Sequence, residues 1–188
     1  GEPRFLPVTE DHPVMPECPY GISKHTVEHY LQLYSSLYGL NYTIFRYPNV
    51  YGPRQNPRGE AGVNAIFIGC LLQNRTPIIF GDGGQTRDYV YVGDVARANV
   101  LALGAGDREI FNLGSGIGTS VSDIYGTLAR LLRVSDEPQY AEERKGEIQR
   151  IYLDASKARD LLGWECRVAF EEGLSRTIEF FKVYPERL

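Results

Sequence analysis

Cys18-Pro19-Tyr20-Gly21-Ile22-Ser23-Lys24 is the stretch on which the fold turns. Tyr20 and Lys24 stand at the head of a segment where Val27, Tyr30, Leu31, Tyr34, Leu37 and Tyr38 follow. That is the i, i+3, i+4, i+7 rhythm of a helix with one buried face. Gly39 comes where a left-handed cap residue ends a helix. Residues four apart share a helical face, so the phenol and the ammonium can serve one ligand. A free phenol, with a pKa of roughly 10, is a poor base at neutral pH, and a nearby cation stabilises its anion. A tyrosine so placed can take a proton from a hydroxyl. Thirteen Tyr and four Lys occur in the chain, so about 0.3 such pairs arise by chance and the pair needs company.

Working outward, residues 1–19 carry Pro3, Pro7, Pro13, Pro16 and Pro19 and read as extended and loop-like. After the helix, Tyr42–Tyr47 is β-branched and aromatic, a strand that feeds a rigid loop, Pro48–Arg54. Helix then strand is half of an α/β unit, and part of a parallel sheet is expected. A polar linker, Gln55–Gly59, precedes a buried helix at Val63–Leu72. Thr76–Phe80 is a short strand ending in the turn Gly81-Asp82-Gly83-Gly84. Arg87–Val92 alternates charged and apolar residues, and Asp94 is placed to cap a helix at Val95–Leu103. Ile110–Leu113 is another strand, and Ser120 with Asp123 forms a capping box for Val121–Leu132. A charged loop, Ala141–Glu147, precedes a short helix capped by Asp154 and ended by Gly163. The last helix, Gly173–Tyr184, sets Leu174, Ile178 and Phe181 on one side. Gly114-Ser115-Gly116-Ile117-Gly118 has the look of a dinucleotide loop, but Thr119 stands where Gly-x-Gly-x-x-Gly needs Gly or Ala. A tight strand-to-helix turn is the favoured reading.

Composition narrows the class. The 188 residues, 43% hydrophobic and 23% charged, suit one globular unit with an ample core. A net charge of -4 argues against a nucleic-acid partner, while local arginines leave anionic ligands open. The longest apolar run, Val63–Leu72, is about half a membrane span, so no membrane partner is expected. Cys18, Cys70 and Cys166 are scattered and odd in number, which suits the cytoplasm better than a disulfide framework. His25 and His29 are half of a metal site that nothing completes, and no metal is expected.

Three blocks taken together carry a resemblance: Pro19-Tyr20-Gly21-x-Ser23-Lys24, Arg46-Tyr47-Pro48-Asn49-Val50-Tyr51-Gly52-Pro53-Arg54-Gln55, and Gly81-Asp82-Gly83-x-x-Thr86-Arg87-Asp88-Tyr89-Val90-Tyr91-Val92-x-Asp94-Val95. In order and spacing the chain resembles the extended short-chain dehydrogenase/reductases, and within them the UDP-glucose 4-epimerases. The resemblance implies an α/β fold. It corresponds to the C-terminal part of an extended Rossmann-type enzyme with its smaller α/β nucleotide-sugar-binding lobe. Residues 1–60 would be the remnant of the NAD-binding domain. Residues 61–188 would be mainly the sugar-nucleotide domain, with some segments returning to the Rossmann sheet.

The same resemblance implies roles. Tyr20 would be the general base and acid. Lys24 would hold the nicotinamide ribose and favour the Tyr20 phenolate. Tyr47 and Pro48 would line the nicotinamide pocket, and Asn49 would donate to the nucleotide-sugar diphosphate. Arg87 and Arg144 would grip that diphosphate, since guanidiniums match phosphate geometry better than ammonium does. Glu147 would accept from the uridine ribose, the backbone of Ile78 and Phe80 would pair with uracil, and the turn after Glu60, at Gly62 and Val63, would close over the nucleotide. Ile151 would hold a gate position, where a side chain smaller than Tyr leaves room for an N-acetyl group. The implied reaction is an NAD-dependent 4-epimerisation of UDP-sugars of the UDP-glucose/UDP-galactose type. Hydride leaves C4, the 4-keto sugar turns over, and hydride returns to the opposite face.

The family's Gly-rich fingerprint would lie before Gly1, so the expectation is that this chain alone holds NAD poorly and turns over little. Two other readings stay open: a non-catalytic UDP-sugar-binding module, and a nucleotide-sugar 4,6-dehydratase or UDP-glucuronate decarboxylase. A homodimer is implied, with Tyr30, Tyr34 and Tyr38 fitting either a dimer interface or the internal core.

Overall fold

A computed structural model describes residues 1–58, 62–144 and 146–188. Residues 1–18 form no helix or named strand; an isolated bridge joins Val8 to Leu153, and side-chain bonds tie residues 8 and 10 to the ends of β1 and β6. Helix α1 spans Pro19–Tyr38. Cys18 caps it, its Sγ accepting from the Gly21 N–H, and Gly39 ends it at φ 68 with its N–H on the Ser35 carbonyl. The caps follow the expectation; the buried face does not. No residue of α1 is buried, and Tyr30, Tyr34 and Tyr38 are 59%, 49% and 74% exposed. Within this chain none of the three joins an apolar core cluster.

An ion pair docks α1 instead. Arg46, the last residue of β1 (Thr43–Arg46), donates from Nε and Nη2 to the two Glu28 carboxylate oxygens at 2.8 and 2.7 Å. Its Nη1 donates to the Glu10 carbonyl at 2.9 Å. The hydrogen bonds from Arg46 hold Glu28 below the usual carboxylate range, against the opposing pull of burial. A depressed value makes this a stabilisation present above the unfolded-state pKa, about 4.3, and lost as pH falls through the folded-state value. Glu28→Gln is expected to lower stability by about 1–2 kcal/mol at neutral pH. The gap between variant and parent urea midpoints should close as the buffer is taken below about pH 4.

The remaining elements are β2 (Asn49–Tyr51), α2 (Val63–Leu72), β3 (Ile78–Phe80), β4 (Thr86–Arg87), β5 (Tyr89–Tyr91) and α3 (Val92–Ala102). They are followed by β6 (Glu109–Asn112), β7 (Thr119–Ser120), α4 (Val121–Leu132), β8 (Gln139–Ala141), α5 (Ser156–Leu162) and α6 (Phe170–Val183). Three strand pairs are parallel: β1 with β6, β2 with β5, and β3 with β8; β4 and β7 are antiparallel. The capping box at Ser120 and Asp123 is present in both halves.

Three further expectations need correcting. Asp154 is not the N-cap of α5, since Ala155 holds that position, although the Asp154 carboxylate accepts the Ser156 N–H at 2.7 Å. The loop after Pro48 contains a strand, β2, because Asn49 to Tyr51 pair in register with Tyr89 to Tyr91. Asp94 is no N-cap, because α3 begins two residues earlier and Tyr91 holds the cap position. The buried Asp94 carboxylate instead accepts the backbone N–H groups of Arg167 and Val168, at 3.0 and 2.9 Å. The Asp94 carbonyl takes the Trp164 indole N–H.

Two apolar clusters result. One gathers Phe67, Ile68, Ile124, Leu128, Leu174 and Phe181, from α2, α4 and α6. The other sets Val90, Ala98, Phe111, Leu113, Leu162 and Trp164 against β5 and β6.

Candidate active site

The site is built on Asp88, between β4 and β5. This aspartate, which as a sequence could pass for part of a solvated face, is 2% exposed. Its carboxylate accepts four donors: Ser115 N at 2.9 Å, Ser115 Oγ at 2.6 Å, Gly116 N at 3.2 Å and Leu153 N at 3.0 Å. The loop that resembles a dinucleotide cradle thus does bind an anion, and the anion is internal. Gly114 is required there, since a Cβ on it would lie 2.6 Å from Asp88 Oδ2 and 2.9 Å from the Leu153 carbonyl.

Asp88 holds its two neighbours in place. The Asp88 carbonyl accepts the Asn49 N–H at 3.0 Å. Asn49 then stands opposite Tyr89, beside whose phenol its amide lies. Burial pushes the Tyr89 phenol up to about 12, so this tyrosine is a neutral hydrogen-bonding group. On the other side, Arg87 Nη1 donates to the Thr86 carbonyl at 2.9 Å, and Nη2 lies 3.6 Å from Glu147 Oε1. The segment after Glu147 runs along β4: Thr86 N donates to the Gln149 carbonyl and Ile151 N to the Thr86 carbonyl. That pairing brings Glu147, Arg87, Asn49 and Ile151 together from three distant parts of the chain.

Strand β3 supplies a backbone edge. Gln139 N donates to the Pro77 carbonyl and Gly81 N to the Ala141 carbonyl, so the odd-numbered residues of β3 face β8. By the strand's period of two, the N–H and C=O of Ile78 and Phe80 point to the opposite edge. There Gln85 Nε2 donates to the Phe80 carbonyl at 3.1 Å. Nothing in the sequence signals this contact. The Arg144 guanidinium carbon lies 4.0 Å from the Phe80 ring centroid, a cation–π contact. A hollow of about 380 Å³, lined by Phe80, Gly81, Asp82, Gln85, Glu143 and Gln149, opens beside this edge. Gly62 caps α2, whose first residue is Val63, and Gln55 packs over it while bonding the Val50 carbonyl. Glu60 lies outside the described residues.

A larger cleft, about 600 Å³, sits at the carboxyl ends of β1 and β6. Tyr47, Asn112, Ile151 and Leu153 line it, with most of the opposite wall drawn from residues 1–18. Ligands in open parallel sheets favour this end of the strands. Ile148 and Ile151 face this cleft and Gln149 the smaller hollow, so one short segment separates the two. Tyr47 is 48% exposed, and Pro48 follows it between β1 and β2. Tyr20 and Lys24 are together at the head of α1, the Lys24 ammonium 5.3 Å from the Tyr20 ring centroid. They stand beside the cleft; α1 reaches the lining itself through Gly21.

The cofactor fit is divided. Tyr20, Lys24 and Tyr47 are accessible groups suited to a nicotinamide ribose, whereas Gly114–Gly118 is already filled by Asp88 and offers no pyrophosphate cradle. Among the described residues no group of three or more His, Cys, Asp or Glu is placed to hold a metal ion. Nor is any helix among them long and apolar enough to cross a membrane.

A family model described as the NAD dependent epimerase/dehydratase family matches residues 1–114. UDP-glucose 4-epimerase of Mycolicibacterium smegmatis is 46% identical over 183 residues, covering 97% of this chain and 58% of that protein. The crystal structure of UDP-glucose 4-epimerase from Thermotoga maritima with UDP-glucose superposes at a TM-score of 0.95 with 47% identity, over 97% of this chain and 59% of that one. UDP-N-acetylglucosamine 4-epimerase from Methanobrevibacter ruminantium, in complex with UDP-N-acetylmuramic acid, gives a TM-score of 0.94 at 32% identity, over 98% and 60%. The chain spans about three-fifths of the length of these relatives.

Proposed function

The chain belongs to the NAD-dependent epimerase/dehydratase family, and on that footing we propose that it serves as a UDP-sugar 4-epimerase of the UDP-glucose/UDP-galactose type. Arg87 and Arg144 grip the diphosphate, Asn49 donates to it, and Glu147 accepts from the uridine ribose. The free edge of Ile78 and Phe80 pairs with uracil. Gly62 and Val63 close over the nucleotide. The sugar enters the large cleft beside Tyr20, which takes the proton of the 4-hydroxyl and later returns it. Lys24 holds the nicotinamide ribose and steadies the charge on Tyr20, with Tyr47 and Pro48 packed against the ring. NAD, when bound, would supply a reversible hydride acceptor for C4. Epimerisation needs a tightly held tail and a sugar free to turn; Arg87, Arg144 and Glu147 serve the tail, while the large cleft sets Tyr47, Ile151 and Leu153 beside a wall that also carries Arg4, His12 and Glu17.

The observation that carries this reading is the meeting of Arg87, Glu147 and Asn49 on the frame set by Asp88. Three parts of the chain converge there on groups that fit a nucleoside diphosphate. Ile151, smaller than Tyr, leaves the sugar end open to an N-acetyl group, and UDP-N-acetylhexosamines join the proposed substrates. Residues 1–60 serve the cofactor side and 61–188 mainly the nucleotide sugar, in the cytoplasm, as a homodimer to which the exposed face of α1 is suited.

Calorimetric titration with UDP-glucose and UDP-N-acetylglucosamine tests the assignment. Arg87→Ala is expected to weaken both by about 10- to 100-fold, the loss of charge-assisted contacts to phosphate. Unchanged affinity in the variant, or no binding by the parent, would remove the diphosphate site. Failure of the N-acetyl sugar alone would remove the role given to Ile151.

A further inference from the structure

The wall of the large cleft is a loop whose neck is closed by one side chain. Residues 4 to 12 leave and return to nearly the same place: the Arg4 N–H donates to His12 Nε2 at 3.0 Å, and the Phe5 ring lies 4.6 Å from the imidazole, centroid to centroid. His12 Nδ1 lies 2.8 Å from the Pro13 carbonyl oxygen. A backbone N–H only donates and a carbonyl only accepts. Nε2 must therefore carry the lone pair and Nδ1 the proton, a single neutral tautomer that meets both contacts.

The far side of the same loop is fastened to the site. Val8 N donates to the Tyr152 carbonyl, and the Val8 carbonyl accepts from Asp154 N. Asn112 Nδ2 donates to that carbonyl too, and Asn112 N to Glu10 Oε1. Arg46 Nη1 holds the Glu10 carbonyl. Residues 8–10 are thus pinned to the ends of β1 and β6 and to the segment 152–154 beside Ile151. The neck at Arg4 and His12, with the Arg4 Nη2 contact to Met15 Sδ at 3.6 Å and the Gln149 N–H bond to Glu2 Oε2 at 3.1 Å beside it, helps to keep the rest of the loop standing over the cleft. Compact loops of this size, with ends held close, are a common way to build a functional wall.

We propose that His12 is a positioning residue whose neutral imidazole latches the loop of residues 4–12 and so shapes the pocket for the sugar end of the substrate. The link to substrate rests on the functional reading above; the latch itself does not. Two substitutions separate the latch from mere packing. Phe at this position keeps a ring against Phe5 and loses both hydrogen bonds, while the Gln carbonyl oxygen can stand where Nε2 stands and accept from Arg4.

Long-range proton–nitrogen spectra of the parent protein should show the Nδ1–H tautomer at His12. Exchange of the Arg4 amide should be about tenfold faster in His12→Phe and within about threefold of the parent in His12→Gln. UDP-glucose affinity should fall about 5- to 10-fold in His12→Phe and recover in His12→Gln. An Nε2–H tautomer, or an Arg4 amide indifferent to His12→Phe, would overturn the latch. Faster exchange with unaltered affinity would overturn the positioning role. A parent protein that fails to bind UDP-glucose at all would fell the functional reading, while the tautomer and the amide still decide the latch.

Discussion

Replacing Tyr20 with Phe is expected to lower the kcat of UDP-glucose epimerisation by about 10²- to 10⁴-fold, the usual contribution of a positioned acid–base group. That range corresponds to about 3–5 kcal/mol of lost transition-state stabilisation. The substitution removes one oxygen from a residue that is 71% exposed in the first turn of α1, so stability should move by less than about 0.5 kcal/mol. Two other phenols are unsuited to the proposed proton transfer: Tyr89 and Tyr51 are buried, and burial raises both well above the ordinary phenol value. Charge arising on Tyr20 lies beside the Lys24 ammonium and at the positive end of a twenty-residue helix. The diphosphate contacts proposed for Arg87 and Arg144 do not involve Tyr20, so the UDP-glucose Kd should stay within about threefold of the parent. Steady-state rates of the NAD-loaded protein with an excess of UDP-glucose, set beside a binding titration, give both numbers. A kcat within tenfold of the parent would remove Tyr20 from the chemistry, and a parallel collapse of binding would mean that the variant had damaged the site instead.

Features governed by neighbours in sequence could be read from the residues. The start of α1 at Cys18 and its end at Gly39, the capping box at Ser120 and Asp123, and the strand at Thr43–Arg46 each depend on a few adjacent side chains. Longer-range decisions could not. Periodicity marks an apolar stripe on α1 but not what covers it, and in the structure a half-buried Glu28–Arg46 pair docks the helix while most of the stripe stays exposed. Asp94 has the right spacing for an N-cap, yet its partners are the N–H groups of Arg167 and Val168, over seventy residues away. In the site, the approach of Arg87 to Glu147 spans sixty positions and came from likeness to a family. The Gln85 contact to the Phe80 carbonyl and the two bonds of His12 lie at side chains that no pattern marks.

Asp88 is the plainest case of what local pattern hides, and its removal is expected to be the most damaging single change to the fold of the site. Asp88→Ala leaves the N–H groups of Ser115, Gly116 and Leu153 and the Ser115 hydroxyl without their acceptor, around a carboxylate that is itself buried while Ser115 and Gly116 keep some access to solvent. An unsatisfied buried donor costs about 1–3 kcal/mol. With some water entering the gap, the four together should cost about 3–5 kcal/mol, a large part of the stability of an ordinary domain. Asp88→Asn keeps the volume and one oxygen, but turns an NH₂ toward N–H groups and gives up the charge-assisted bonds; about 2–3 kcal/mol is expected. Urea unfolding of the three proteins should rank parent, Asn, Ala. The functional consequence follows from position, because the same residue's carbonyl orders Asn49 and its neighbour in sequence is Arg87. At temperatures where Asp88→Asn is still folded, its UDP affinity should already be lower than the parent's. Equal affinity with lowered stability would mean that Asp88 supports the core alone, and that the diphosphate contacts are held by other means.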